Sequence, residues 1–209
     1  SLLLDHPYIG FDNKLVVVTG RKFPGGNNYT GPILFCFNKD SLLAGRPISF
    51  GTNAQTIERT VSDGDVPCPV TAMGLTAPAP AFYIVQEWNG GASAIRLTSI
   101  TGTIPNLSWN TTSAVFPVGG TPWSDAQLGN IEPQLGETRL IAANDARISS
   151  RQMVNGKIWC AHHIGLPAST FTHTAIQWWQ ITTTGAVLQR GRIDDSTGII
   201  GRYYPTIAV

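Results

Sequence analysis

Three carboxylates, Asp5, Glu87 and Asp145, stand beside apolar runs in this 209-residue chain. Two carboxyl groups held roughly 5 to 9 Å apart are what glycoside hydrolysis requires, one as acid and the other as nucleophile or base. His6, Arg21, Arg147 and His162 offer hydrogen bonds and charge to a polar ligand, and Trp109 and Trp123 lie in polar stretches where an exposed indole face stacks on a sugar ring. A plainer expectation competes with catalysis, in which these carboxylates pair with arginines and fix turns. On a strand, His162 and His163 face opposite sides, so one pocket takes only one of them. That ring could join His6 or His173 as a metal ligand, but a histidine satisfied between packed sheets is the stronger expectation. Asp63-Gly64-Asp65 lacks the further oxygen ligands of a calcium loop. There is no Gly-x-Ser-x-Gly elbow, no His-Glu-x-x-His and no phosphate-binding glycine loop, so the sequence points to no metal and no cofactor.

Composition narrows the classes further. The 14 Lys and Arg against 13 Asp and Glu leave a net charge of +1, without the clustered basic excess that nucleic-acid binding needs. Charged residues make up 13% and hydrophobic residues 42%, with 22 Gly and 14 Pro, which fits neither a disordered tail nor a helix bundle. No apolar run reaches the roughly 18 residues of a membrane span. The three cysteines cannot all pair within the chain, and Cys36 and Cys160 sit in apolar runs as small buried hydrophobes.

The elements that must position the candidate residues are short β-rich runs separated by Gly, Pro, Asn, Asp and Ser clusters. Strands are expected over 14–20, 32–38, 81–88, 94–100, 156–162 and 173–181. One helical turn is expected at 41–45, with Asp40 as N-cap and Gly45 as its stop. A repeat orders these pieces. Pro7-Tyr8-Ile9-Gly10-Phe11 is echoed by Pro205-Thr206-Ile207-Ala208-Val209, each preceded by a ring residue, His6 or Tyr204, and related segments stand at 67–72 and 147–151. Each of the first three is followed by two strongly apolar strands and a weaker fourth, near 47–50, 113–116 and 187–193. Such repeated four-stranded meanders are the pattern of β-propeller blades, which stack because one blade cannot bury both of its faces alone. The expected fold is therefore an all-β propeller segment of about three blades, over 5–62, 63–120 and 140–200, with 201–209 opening another. Strands such as 15–18 and 82–85, near-continuously apolar, are expected to be buried on both faces. Long loops at 23–30, 51–65 and 121–139 decorate one end.

The signatures Asp5-His6-Pro7-Tyr8-Ile9-Gly10-Phe11, Gly31-Pro32-Ile33-Leu34-Phe35-Cys36-Phe37-Asn38-Lys39 and Val154-Asn155-Gly156-Lys157-Ile158-Trp159-Cys160-Ala161-His162 resemble blades of large secreted bacterial β-propeller proteins. The stretch from Ala175 to Val209 continues the resemblance, which implies an architecture similar to sialidase and glycosidase propellers and an extracellular or cell-surface location. A sialidase Asp-box is absent, the nearest sequence being Thr121-Pro122-Trp123-Ser124-Asp125. Closed propellers need four to eight blades, so both termini are expected to pair with strands from further sequence or another chain. The function expected is a structural or interaction module that binds a partner protein or glycan through its loops. The alternative is a glycoside hydrolase using Asp5, Glu87 and Asp145.

Overall fold

The computed structural model describes residues 2–26, 28–75, 78–88, 93–115, 122–124 and 128–209, without the side chains of 111–115. The chain is all-β, with 51% strand and 4% helix in several antiparallel sheets, none of them closed. In the first sheet β1 (Leu2–Phe11), β2 (Leu15–Pro24), β3 (Pro32–Asn38) and β4 (Ala54–Glu58) follow one another as an antiparallel meander. The short strands β5 (Cys68–Pro69) and β6 (Thr71–Ala72) come next. β5 joins β7 (Phe82–Trp88), β8 (Ala94–Thr101) and β9 (Ser108–Val115) in a second meander. A two-stranded ribbon, β10 (Gly129–Glu132) and β11 (Ile141–Asn144), precedes the third meander. That meander is β12 (Ser150–Val154), β13 (Lys157–Leu166), β14 (His173–Thr182) and β15 (Val187–Ile193), with β6 added parallel to β12.

Local chemistry sets the turns. Between β1 and β2, the Asp12 carboxylate accepts the backbone N–H groups of Lys14 and Leu15, both at 2.7 Å, an Asx turn that reverses the chain. Between β12 and β13, Asn155 at φ 50° and Gly156 at φ 70° form a two-residue hairpin of the kind whose twist matches the strands, so Val154 pairs directly with Lys157.

The second sheet is buried on both faces. Phe82, Ile84 and Ile100 pack with Leu15, Val17, Leu34, Cys36 and Ile57 of the first sheet in one core. Across the pleat, Tyr83, Val85, Ile95 and Leu97 pack with Ile158, Cys160, Ile164, Trp179 and Ile181 of the third sheet in another. The outer sheets are covered on one side. Leu15 and Val17 are buried while Val16 and Val18 are half-buried, so the run 15–18 alternates instead of being buried on both faces. The far face of the first sheet keeps Ile9 at 58% exposure, and there the Phe50 ring meets Phe35 and Phe37. Trp179 enters the shared core, whereas its neighbour Trp178 turns outward and stacks on Trp159, ring centroids 6.1 Å apart.

Several expectations are corrected. The fourth strand of the first sheet is 54–58 and not 47–50, and it lies inside the segment 51–65 expected to be loop. Helix α1 (Lys39–Leu43) starts earlier than expected, because Asn38 caps it by accepting the Ser41 N–H at 2.8 Å; Asp40 lies within its first turn. Leu2, Leu3 and Leu4 pair with Pro24, Phe23 and Lys22 of this same chain, not with an absent strand. Residues 205–209 form no strand ladder. Residue 116 of the strand expected at 113–116, and Thr121 and Asp125, lie outside the described residues. Cys36, Cys68 and Cys160 are free and buried, and burial raises all three thiols, Cys68 to about 11 and Cys36 to about 12.

Candidate functional site

The first strands of the three meanders come together. β1 runs against β5 with Gly10 at the contact, where a Cβ would lie 2.4 Å from the Pro69 carbonyl oxygen. β6 then pairs with β12, Thr71 opposite Gln152. Residues 205–207 lie against β12 through side chains: Ser149 donates to the Pro205 carbonyl at 3.2 Å, and the Ile207 N–H donates to the Ser150 hydroxyl at 3.0 Å. Arg151 ties the three meanders together. Its guanidinium donates to the carbonyls of Pro69 at 3.0 Å, Ser149 at 3.2 Å and Ile9 at 3.2 Å, and lies 4.5 Å from the Tyr8 ring centroid. Five donors in a fixed plane suit arginine to satisfying backbone carbonyls from different strands at once.

At the Asp5 end of β1, charged side chains of all three meanders converge. Arg21 on β2 stands 3.7 Å from the Asp5 carboxylate and 2.6 Å from that of Asp65, which precedes β5. Arg21 also covers the rings of Phe23 and Tyr29 at 5.0 and 4.8 Å, and the Tyr29 hydroxyl reaches the Gly64 carbonyl at 2.6 Å. His6, held at φ 48°, lies 3.3 Å from Asp5 and within the field of Arg147 and Asp145. Arg147 grips Asp145 with two hydrogen bonds, and the pair is mostly buried, their side chains 10% and 14% exposed.

Electrostatics sort these groups by what they can do. Burial opposes the Asp145 charge, but the Arg147 hydrogen bonds and charge outweigh it and hold the carboxyl below its usual range. Such a group is a poor proton donor. Burial and the Arg147 charge lower His6 below the ordinary histidine range, against the pull of Asp5 and Asp145. His6 is therefore a neutral ring at pH 7. Asp5 and Asp65 remain open to solvent at 43% and 45% of their side chains. The cluster thus presents solvent-facing carboxylate acceptors, a neutral imidazole and arginines fixed by their own pairs. Such a set is suited in its chemistry to hydrogen bonds with a polar, uncharged group.

Five of the residues singled out from sequence meet here: Asp5, His6, Arg21, Asp145 and Arg147. Glu87 stands on β7 opposite Ile95, half-buried, on the face that turns toward the third sheet. His162 is corrected from ligand-binding to structural. It is fully buried, its Nδ1 2.7 Å from the Ala146 carbonyl and its Nε2 accepting the Trp179 indole N–H at 3.2 Å, so both nitrogens are engaged. Burial, first of all, pushes its pKa down to about 3. Trp123 is corrected likewise: it is buried, its ring 5.4 Å from His162 and 5.7 Å from Trp179, although the residues around it in sequence are polar. Trp109 is half-buried against the core between the first two sheets, with Arg59 5.9 Å from its ring. Asp63 is met by Arg59 and Arg96, and among the described residues no three His, Cys, Asp or Glu side chains converge to hold a metal. No helix among them is long and apolar enough to cross a membrane.

Asp65 and Arg151 are the site residues missed by sequence reasoning. The signal for Asp65 is its spacing: Asp5-His6-Pro7 and Asp65-Val66-Pro67 share a pattern, and Asp145-Ala146-Arg147 keeps its aspartate. Comparison with family models, with curated proteins and with solved structures finds no match for this chain.

Proposed function

We propose that the three meanders are successive blades of a β-propeller of the secreted bacterial kind, and that the chain serves as an extracellular structural or interaction module. A partner protein or glycan is bound at the end where Asp5, His6, Arg21, Asp65, Asp145 and Arg147 gather. The observation that carries this reading is the alignment of β1, β5 with β6, and β12, which brings an aspartate from the start of each meander to one end. Loop-bearing ends built on rigid sheets are where such folds bind ligands. The exposed outer faces of the first and third sheets are read as contact surfaces for further blades, supplied by more sequence or by another chain.

The rival reading, a glycoside hydrolase using Asp5, Glu87 and Asp145, is weakened by the Arg147 grip on Asp145, which disfavours the protonated acid that mechanism needs. The test is to present the whole chain to a glycan array and to pull-down, beside its Asp5→Asn and Asp65→Asn variants, while screening it against glycosidase substrates. Retained ligand that the two variants lose is the expected result. Substrate turnover with no retained ligand would contradict it.

A further inference from the structure

At the opposite end of β1, between the first and second sheets, lies a cavity of about 130 Å³. Its apolar wall is formed by Leu15, Phe82, Ile100 and Ile104, and its charged groups are Asp12 and Lys14. An apolar cavity of about 150 Å³ in a protein interior accepts a benzene molecule, so this space suits a small aliphatic or aromatic group.

Asp12 gives the cavity its chemistry. The residue is only 4% exposed, and one carboxylate oxygen, Oδ1, accepts both turn N–H groups. Oδ2 accepts no hydrogen bond among the described residues, and Asp12 also borders a smaller adjoining cavity under Phe82 and Tyr83. That oxygen is not sealed from solvent, so a ligand in the cleft can reach it. Lys39 approaches this turn but donates to the Asp12 backbone carbonyl, at 2.7 Å, while its ammonium lies 4.8 Å from the Phe11 ring. Lys14, exposed at the rim, forms no salt bridge among the described residues, with Asp12 or any other carboxylate. An acidic and a basic side chain that do not neutralise each other thus border the same cleft as Phe82, Ile100 and Ile104.

We infer that this cleft binds a small zwitterion with an apolar side chain, of the class of a free aliphatic amino acid. Its ammonium donates to Asp12 Oδ2, its carboxylate faces Lys14, and its side chain lies on Phe82, Ile100 and Ile104. The inference stands apart from the function proposed above, since it involves the other end of the strands and none of the same residues.

The test is a titration of the whole chain with L-leucine, followed by amide chemical shifts and calorimetry. In parallel, 4-methylpentanoate lacks the ammonium and isoamylamine lacks the carboxylate. Saturable leucine binding is expected, with shifts centred on residues 12–15 and 101–104. Each analogue, and the Asp12→Asn variant with leucine, should bind at least about tenfold more weakly. Asp12→Asn keeps an oxygen for the turn N–H groups, and its fold is checked by circular dichroism. Should it unfold, Thr103→Trp at the exposed rim closes the cleft and should abolish leucine binding in a folded chain. No saturable leucine binding, or 4-methylpentanoate binding as tightly as leucine, would overturn the inference. So would leucine affinity unchanged in a folded Asp12→Asn or Thr103→Trp.

Discussion

Asp145 and Arg147 lie so deep that each depends on the other for its charge. Removing one partner of such a pair leaves an uncompensated buried charge, so Arg147→Ala should cost about 3 kcal/mol in urea unfolding. Arg147→Lys, which keeps the charge but loses the two-pronged geometry, should recover part of that. His162 sets the pH response. Its folded pKa of about 3 lies below the ordinary 6.5, so protonation favours the unfolded chain. The stability it contributes is complete above pH 6.5 and is lost as pH falls from there toward 3, at about 1.4 kcal/mol per pH unit. His163, also lowered by burial, adds a drop of the same sign. Urea midpoints between pH 7 and pH 4 should therefore fall steeply, and less steeply in His162→Gln. At this scale the sequence revealed residue type better than burial. The opposite facing of His162 and His163 follows from strand periodicity, but nothing local tells that Ala146 and Trp179 consume both nitrogens of His162. Trp123 likewise sits among polar neighbours in sequence and among aromatic ones in space.

Single elements depend on small pieces of chemistry that the sequence shows only in part. Asn38 accepts the Ser41 N–H at the start of α1, so Asn38→Ala should destabilise the chain by about 1 kcal/mol. The rival cap, Asp40, is an equally good capping residue by type, and β3 decides between them by carrying the chain to residue 38 before it turns. Gly10 has ordinary backbone angles but no room: its added Cβ would meet the Pro69 carbonyl, a backbone atom that cannot swing aside. Gly10→Ala should cost roughly 2 to 3 kcal/mol and loosen β1 from β5, seen as a lower thermal midpoint. The apolar runs identify most long strands, since β2, β3, β7, β8, β13 and β14 all contain one. The weak fourth strands are harder. Ala54–Glu58 is half polar because it lies at a sheet edge, and it is fixed by pairing with β3 instead of by its own pattern.

For the molecule as a whole, the decisive feature is a second sheet buried on both sides by two different cores. The near-continuous apolar run 82–85 announces that burial, whereas the equally apolar 15–18 does not receive it. The difference comes from position in the stack, which no local pattern encodes: among the described residues the first sheet has a neighbouring sheet on one side only. The same stacking brings Asp5, Asp65 and Asp145 together and forms the cleft beside Asp12, so both proposed sites depend on it. A methyl and aromatic NOE map of the isotope-labelled chain tests the stack most directly. Ile84 and Ile100 should show contacts to Val17 and Leu34, Val85 and Leu97 should show contacts to Ile158 and Ile181, and Arg151 should show contacts to Tyr8. A map with contacts inside each meander and none between them would contradict the account.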